Sequence, residues 1–326
     1  MRSHAFVIAA ATVILAAPAA AQSTDTGHLN PVIDLLEQAR AVFGLYAPSN
    51  PRVRPGAEAP AVQAAAKTPA QLAQDALSYR RADYVFDGSM ERNFERGYAA
   101  FAELARGMFD GGMKRGATLS HALYVKTPEI APDPAKARDH ISRQLNLGVS
   151  GIVFVDVRSA EEVRQGLAMM RFAANGGTRL DDVGDAPARW GMSVDEYRKR
   201  ADLWPLNPRG ELVNFTIVES REGLEKVREI AAVPGIGVLF PGAGTLRGIF
   251  STTDSTGRRV LDEAAWEGAI QRVLAACKEF DVPCGYPANE RDIELRMRQG
   301  FSVFIIGWGE SGFRAVDVGR RVARRD

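Results

Sequence analysis

The chain reads as an α/β protein, a (β/α)8 TIM barrel preceded by an N-terminal helix, and three observations carry that reading. Eight short runs rich in β-branched and aromatic residues recur along it; most alternate with helical periodicities, and none is joined to the next by a hairpin signal. Such alternation implies parallel strands paired through right-handed crossovers, which close naturally into a barrel. An open doubly wound sheet is the alternative, weakened because no G-x-G-x-x-G fingerprint follows the first strand. A length of 326 residues suits one large barrel or two ordinary domains.

Residues 1–21 stand apart. Arg2 precedes an apolar run from Ala5 to Ala17, and Ala19-Ala20-Ala21 before Gln22 matches a small-residue cleavage site. This is the pattern of a secretory signal peptide, so the expected mature chain, 22–326, is one barrel domain in a periplasmic or secreted setting. The apolar core is too short to cross a bilayer, and no later stretch is long and apolar enough to do so. A formal net charge of +1 gives no electrostatic case for nucleic acid.

The elements follow in order. His28 to Phe43 holds a short amphipathic helix, with Val32, Leu35, Leu36 and Ala39 apolar, and runs into a first strand ending at Ala47. Asn50 to Lys67, rich in Ala and Pro, reads as an extended surface loop. Leu72–Arg80 is a helix and Asp83–Asp87 the second strand. Leu119–Lys126 is the third strand, and Asp133 with Pro134 opens the next helix. Val149–Asp156 is nearly all apolar, as a strand buried on both faces should be. Ser159 and Glu162 have the spacing of a capping box. Residues 175–210 form a long connection whose Trp190, Tyr197 and Trp204 suggest a contact surface. Helix Leu261–Phe280, strand Val282–Tyr286, helix Arg291–Arg298 and strand Phe301–Ile306 complete the chain.

Val213–Phe250 is the most informative stretch. A strand ends on Glu219, Ser220 caps a helix with Leu224, Val227, Ile230 and Ala231 on one face, and Ile236–Phe240 is the next strand, ending in the Gly-rich loop Pro241–Gly248. In a parallel α/β protein both loops lie at the carboxyl ends of the strands, where ligands bind. The motifs VES-REG, VPGI and F-x-G-x-x-x-L resemble the central signature of the HpcH/HpaI aldolase/citrate lyase family, and the likeness runs from about Asn30 to Gly309.

That resemblance implies a carbon–carbon lyase of the aldolase type, acting on a small oxo or hydroxy acid or an aldol-like compound through a metal-bound enolate. It implies Glu219 as a ligand of Mg or Mn. The family's second acidic ligand falls on Thr245, and a hydroxyl is a poor replacement, so Asp156 on the neighbouring strand is a further candidate. Lys126 stands where the family has an arginine that grips the substrate carboxylate; it keeps the charge and loses the bidentate fork. Glu91-Arg92-Asn93 resembles the family's turn with a catalytic histidine. Arg92 cannot act as a base at neutral pH, which leaves it to bind an anion and Glu91 or water to relay the proton. The loop Gly242-Ala243-Gly244-Thr245 is assigned to substrate. By the same resemblance the chain forms a homo-oligomer, a hexamer in which the C-terminal helical region is exchanged between neighbours. Two alternatives stay open: a degenerate barrel with a binding or scaffold role, and a metal-independent lyase or isomerase using Lys126 or Glu91.

Glu219 could simply pair with a neighbouring cation. His121 alternates with Leu119 and Leu123, which marks a structural histidine, and His28 and His140 look peripheral. Export permits a disulfide, but Cys277 on the apolar side of a helix and Cys284 in the next strand read as two buried thiols.

Overall fold

The computed structural model describes residues 27–50 and 65–325. The expected signal peptide and most of the Asn50–Lys67 loop lie outside the described residues. Eight parallel strands form the centre: β1 (Val42–Tyr46), β2 (Tyr84–Asp87), β3 (Ala122–Lys126), β4 (Gly151–Phe154), β5 (Leu212–Val218), β6 (Val238–Pro241), β7 (Gly285–Ala288) and β8 (Val303–Ile306). Pairing follows chain order from β1 to β6 and from β7 to β8, and β8 returns to β1. The ring closes between β6 and β7 through a single bridge, Leu239 to Cys284, with the Leu239 N–H donating to Pro283 O at 3.0 Å. The predicted barrel is what these residues build.

Period-2 alternation explains the layers. Tyr84 and Phe86 of β2 point into the barrel with Tyr124, Phe215 and Phe240, while Val85 and Leu123 face the surrounding helices. The interior rings would collide with any side chain larger than hydrogen at three facing positions. A Cβ on Gly44 would lie 2.1 Å from the Tyr84 ring, one on Gly151 2.3 Å from Tyr124, and one on Gly285 2.1 Å from Phe240. The N-terminal helix Pro31–Glu37 then plugs the mouth at the amino ends of the strands, burying Val32, Ile33, Leu35 and Leu36 in the same apolar cluster.

Several sequence expectations need correction. Leu119 is not in the third barrel strand: it pairs with Lys114 in a two-residue hairpin, and β3 starts at Ala122. A second hairpin joins Ser251–Thr253 to Arg259–Leu261. The helix after Ser220 is two short ones, Arg221–Glu225 and Val227–Ala231, though its predicted face is buried and Ser220 caps it. Ser159 accepts from the Glu162 N–H as expected, but the Glu162 carboxylate reaches the N–H groups of Ala131 and Arg158, tying two loops together.

Trp190 and Tyr197 are not a contact surface. They are fully buried, packed edge to face at 4.9 Å, with Trp190 Nε1 donating to Gly148 O at 2.9 Å. Residues 175–210 thus contribute core, and Leu203–Trp204 adds a short parallel strand beside β5. The C-terminal helix Glu310–Val322 lies on its own barrel, where Arg325 beyond it grips Asp83 with contacts of 2.6 and 2.9 Å. Cys277 and Cys284 are bonded to each other as a disulfide, their Cα atoms 5.6 Å apart. His121 is the structural histidine expected, with Nε2 2.9 Å from Tyr79 O. His28 and His140, by contrast, are 8% and 5% exposed and so are interior residues.

Candidate active site

Every predicted site residue lies at the carboxyl ends of the strands, and they meet in two adjoining cavities. The outer one, about 630 Å³, is walled by Glu91, Arg92, Glu129, Asp133, Lys136, His140, Asp156, Glu219 and Thr245. The inner one, about 190 Å³, lies over the barrel centre between Phe86, Lys126, Ile217, Phe240 and residues 242–245, which are not the expected Gly-rich loop but the start of a short helix. Glu219 and Thr245 belong to both, so they stand at the junction.

Glu219 follows β5 directly and is 7% exposed. Its Oε1 accepts from the Asp156 N–H at 3.2 Å and its Oε2 from the Thr245 hydroxyl at 2.6 Å. Burial pushes its carboxyl up; the Thr245 bond and the Lys126 charge oppose that shift in part. Gly242 makes this placement possible, because a Cβ there would lie 2.2 Å from Glu219 Cβ. The glycine first assigned to substrate therefore also clears room for the acid. Ala243 is largely buried at the start of helix Ala243–Ile249, whereas Gly244 and Thr245 are exposed toward the cavities.

Asp156 adopts a left-handed backbone, φ 44°, which is uncommon for a residue with a side chain and turns its N–H toward Glu219. One carboxylate oxygen pairs with Arg158, which also reaches Glu129 at 3.1 Å. The other, Oδ1, is buried without a hydrogen-bond partner among the described residues. Lys126, at the end of β3, is 15% exposed and its Nζ lies 2.9 Å from Glu91 Oε2. Gln144 fixes the same strand end by donating to Lys126 O at 2.8 Å. Arg92 is exposed at the rim of the outer cavity. Sequence reasoning missed His140, which forms part of the outer wall and stacks on Phe94 at 3.6 Å between ring centres, while burial pulls its imidazole pKa down. Its helical position gave no signal.

The outer wall carries five carboxylates (Glu91, Glu129, Asp133, Asp156 and Glu219) against the cations Arg92 and Lys136. Such a surface attracts a cation more readily than a free organic anion. Two hard oxygen donors, Glu219 and the unpaired Oδ1 of Asp156, suit Mg²⁺ or Mn²⁺, which keep several waters; Thr245 adds a neutral oxygen.

The family model for HpcH/HpaI aldolase/citrate lyase matches residues 117–309, more than half of the chain. The chain belongs to that family. Its members act on small molecules and are typically dependent on a divalent metal. A hydroxypyruvate/pyruvate aldolase of Deinococcus radiodurans is 31% identical over 189 residues, covering 57% of this chain and 62% of the relative. A 2-keto-3-deoxy-L-rhamnonate aldolase of Klebsiella pneumoniae is 29% identical over 157 residues, 48% of this chain and 55% of the relative. This chain thus spans less than two thirds of the length of either relative. An HpcH/HpaI family protein of Burkholderia cenocepacia superposes with a TM-score of 0.63 at 20% identity, covering 90% of this chain and 98% of the other; it shares the fold.

Proposed function

We propose that the chain is an exported carbon–carbon lyase that cleaves a small hydroxy-oxo acid by a retro-aldol reaction. One observation carries the reading: Glu219, a buried carboxylate at a barrel strand end, shares an acidic cavity with the unpaired oxygen of Asp156. Those two residues would hold Mg²⁺ or Mn²⁺, with Thr245 beside them. A bound cation of this kind would supply the positive charge that stabilises a developing enolate.

The remaining work falls to the chain's own groups. Lys126 offers a single ammonium to a substrate carboxylate in the inner cavity, whose apolar walls and about 190 Å³ suit a two- or three-carbon fragment. Glu91, oriented by Lys126 at 2.9 Å, is the acceptor for the hydroxyl proton of the substrate. Arg92 at the rim binds an anionic group on the departing half. Thr245 keeps Glu219 turned toward the junction through its 2.6 Å bond. The Lys126–Glu91 ion pair disfavours a Schiff-base route, since an ammonium held by a carboxylate is a poor nucleophile.

Export through a signal peptide over 1–21 and residence in the periplasm or outside the cell belong to the same proposal. The Cys277–Cys284 disulfide supports them, because such bonds persist in oxidising compartments. Assembly as a homo-oligomer rests on the family, and light scattering on the eluted protein tests it. The deciding experiment is calorimetric titration of Mn²⁺ into the protein and into Glu219→Gln, with and without oxalate, beside an assay of pyruvate release from a panel of 4-hydroxy-2-oxo acids. Mn²⁺ binding that oxalate tightens and Glu219→Gln abolishes is expected. Absence of Mn²⁺ binding in the presence of oxalate refutes the metal-assisted route.

A further inference from the structure

At the opposite end of β5 from Glu219 lies a second group of metal-type side chains. Strand rise places the two ends about 26 Å apart, from Glu211 to Glu219. A ring nitrogen of His28 and carboxylate oxygens of Asp34 and Glu37 all lie within 4.8 Å of one another. Asp34 and Glu37 are one helical turn apart on Pro31–Glu37, the helix whose other face plugs the barrel. The backbone N–H of His28 donates to Asp34 Oδ1 at 3.1 Å, which fixes that carboxylate near the imidazole.

The imidazole itself is 8% exposed, and its Nδ1 is buried with no hydrogen bond among the described residues. It faces Glu211 Oε2 at 3.5 Å, while Nε2 faces Glu37 Oε1 at 3.7 Å, both longer than a well-formed hydrogen bond. Glu211 is fully buried and pinned by Arg200 and by the Asn30 N–H at 3.0 Å. A carboxylate on one side of the ring and open ligands on the other is the usual setting of a metal-bound histidine. The outer carboxylate keeps the proton on one nitrogen and turns the lone pair of the other toward the ion.

We propose that His28, Asp34 and Glu37 bind a divalent transition-metal ion, Zn²⁺ in the first instance, with Glu211 orienting the imidazole. The mixed nitrogen and carboxylate set favours Zn²⁺ over Mg²⁺, which prefers oxygen alone. Glu37 is 45% exposed, which gives the ion access and leaves positions for water. Bound there, the ion fastens the plugging helix to the floor of the barrel, away from the candidate active site. The alternative is an imidazolium lodged among carboxylates with no metal.

The test is titration of Zn²⁺ into the EDTA-treated protein at pH 7.5, with His28→Gln, Glu37→Gln and Glu219→Gln in parallel and Mg²⁺ as control. Trp204 gives a local signal, since its Nε1 donates to Glu37 at 3.1 Å and loses that partner as the carboxylate turns to the ion. Expected are a Zn²⁺ site weakened at least tenfold by His28→Gln and by Glu37→Gln but kept in Glu219→Gln, a change in Trp204 emission that Trp204→Phe removes, and proton release on binding. Zn²⁺ binding unchanged in Glu37→Gln, or lost only in Glu219→Gln, overturns the proposal. Glu37 is exposed, so that variant decides the matter even if His28→Gln folds poorly.

Discussion

Replacing Thr245 by Asp tests the junction of the two cavities most directly. The Thr245 hydroxyl sits 2.6 Å from Glu219 Oε2, so an aspartate there places a second carboxylate within about 4 Å of a buried one. At an effective dielectric of about 20, two such charges repel by about 4 kcal/mol. The protein can escape by keeping one proton, which at pH 7 costs about 1.4 kcal/mol for each of roughly three pH units above an ordinary carboxyl pKa, again about 4 kcal/mol. The pair therefore has a raised pKa in the folded state. Stability of Thr245→Asp without metal should be near that of the parent at pH 4.5 and fall by about 1.4 kcal/mol per pH unit as pH rises. Mn²⁺ should reverse the loss, since a ligand bound only to the folded state adds about 2.7 kcal/mol at a hundredfold excess over its Kd. Thermal melts from pH 4.5 to 8 with and without MnCl₂ measure both effects. A melting temperature that ignores both pH and Mn²⁺ would refute the placement of Thr245 against Glu219.

Other expectations follow from the same geometry. Glu219→Gln removes a buried charge whose pKa burial has raised, so the metal-free variant should melt at the parent's temperature or above at pH 8 while lyase turnover is lost. Lys126→Met should raise KM for 2-oxo acids at least tenfold and leave Mn²⁺ affinity within about twofold, as a lost charged hydrogen bond of about 1.5–3 kcal/mol implies. Cys277→Ser with Cys284→Ser opens a short covalent loop and should destabilise by about 2–3 kcal/mol, read by chemical denaturation. Gly151→Ala should cost about 1–3 kcal/mol or fail to fold, because the added methyl meets the Tyr124 ring and Val213 O.

How much of this the sequence disclosed depends on the range of the interaction. The barrel was legible because the buried strands read as apolar runs and many of the helices open on a side-chain cap, as Asp133-Pro134 and Ser220 show. The two small hairpins escaped because their strands are two or three residues long, too short to show alternation, and the one buried residue among them, Leu119, reads as the start of the next strand. Glu219 was found from its strand-end position. Its contacts with Thr245 and Asp156, and the pairing of Lys126 with Glu91, join residues 26 to 63 positions apart and leave no local trace. The disulfide was missed for a related reason: helix and strand assignments fix where two cysteines lie but not whether their Cβ vectors converge. The burial of Trp190 and Tyr197 has no local signature, because a long connection reads as surface until it folds back to cover Gly148 and Leu145.

The closing joint of the ring has a consequence for how the protein is handled. Seven of the eight strand junctions are ladders of two or more residue pairs, while β6 and β7 share one bridge, at Leu239 and Cys284. The disulfide begins at that residue, and Cys277 Sγ also faces Leu239 O. A covalent tie thus stands where backbone pairing is thinnest. Protein made in a reducing cytoplasm would lose the bond that holds the Cys284 side of this bridge to helix Glu263–Glu279, and its β6 and β7 amides should exchange with deuterium before those of β1 and β8. Two preparations of one chain would then differ in a single local opening, and their activities should be compared only after the oxidation state of that pair has been matched.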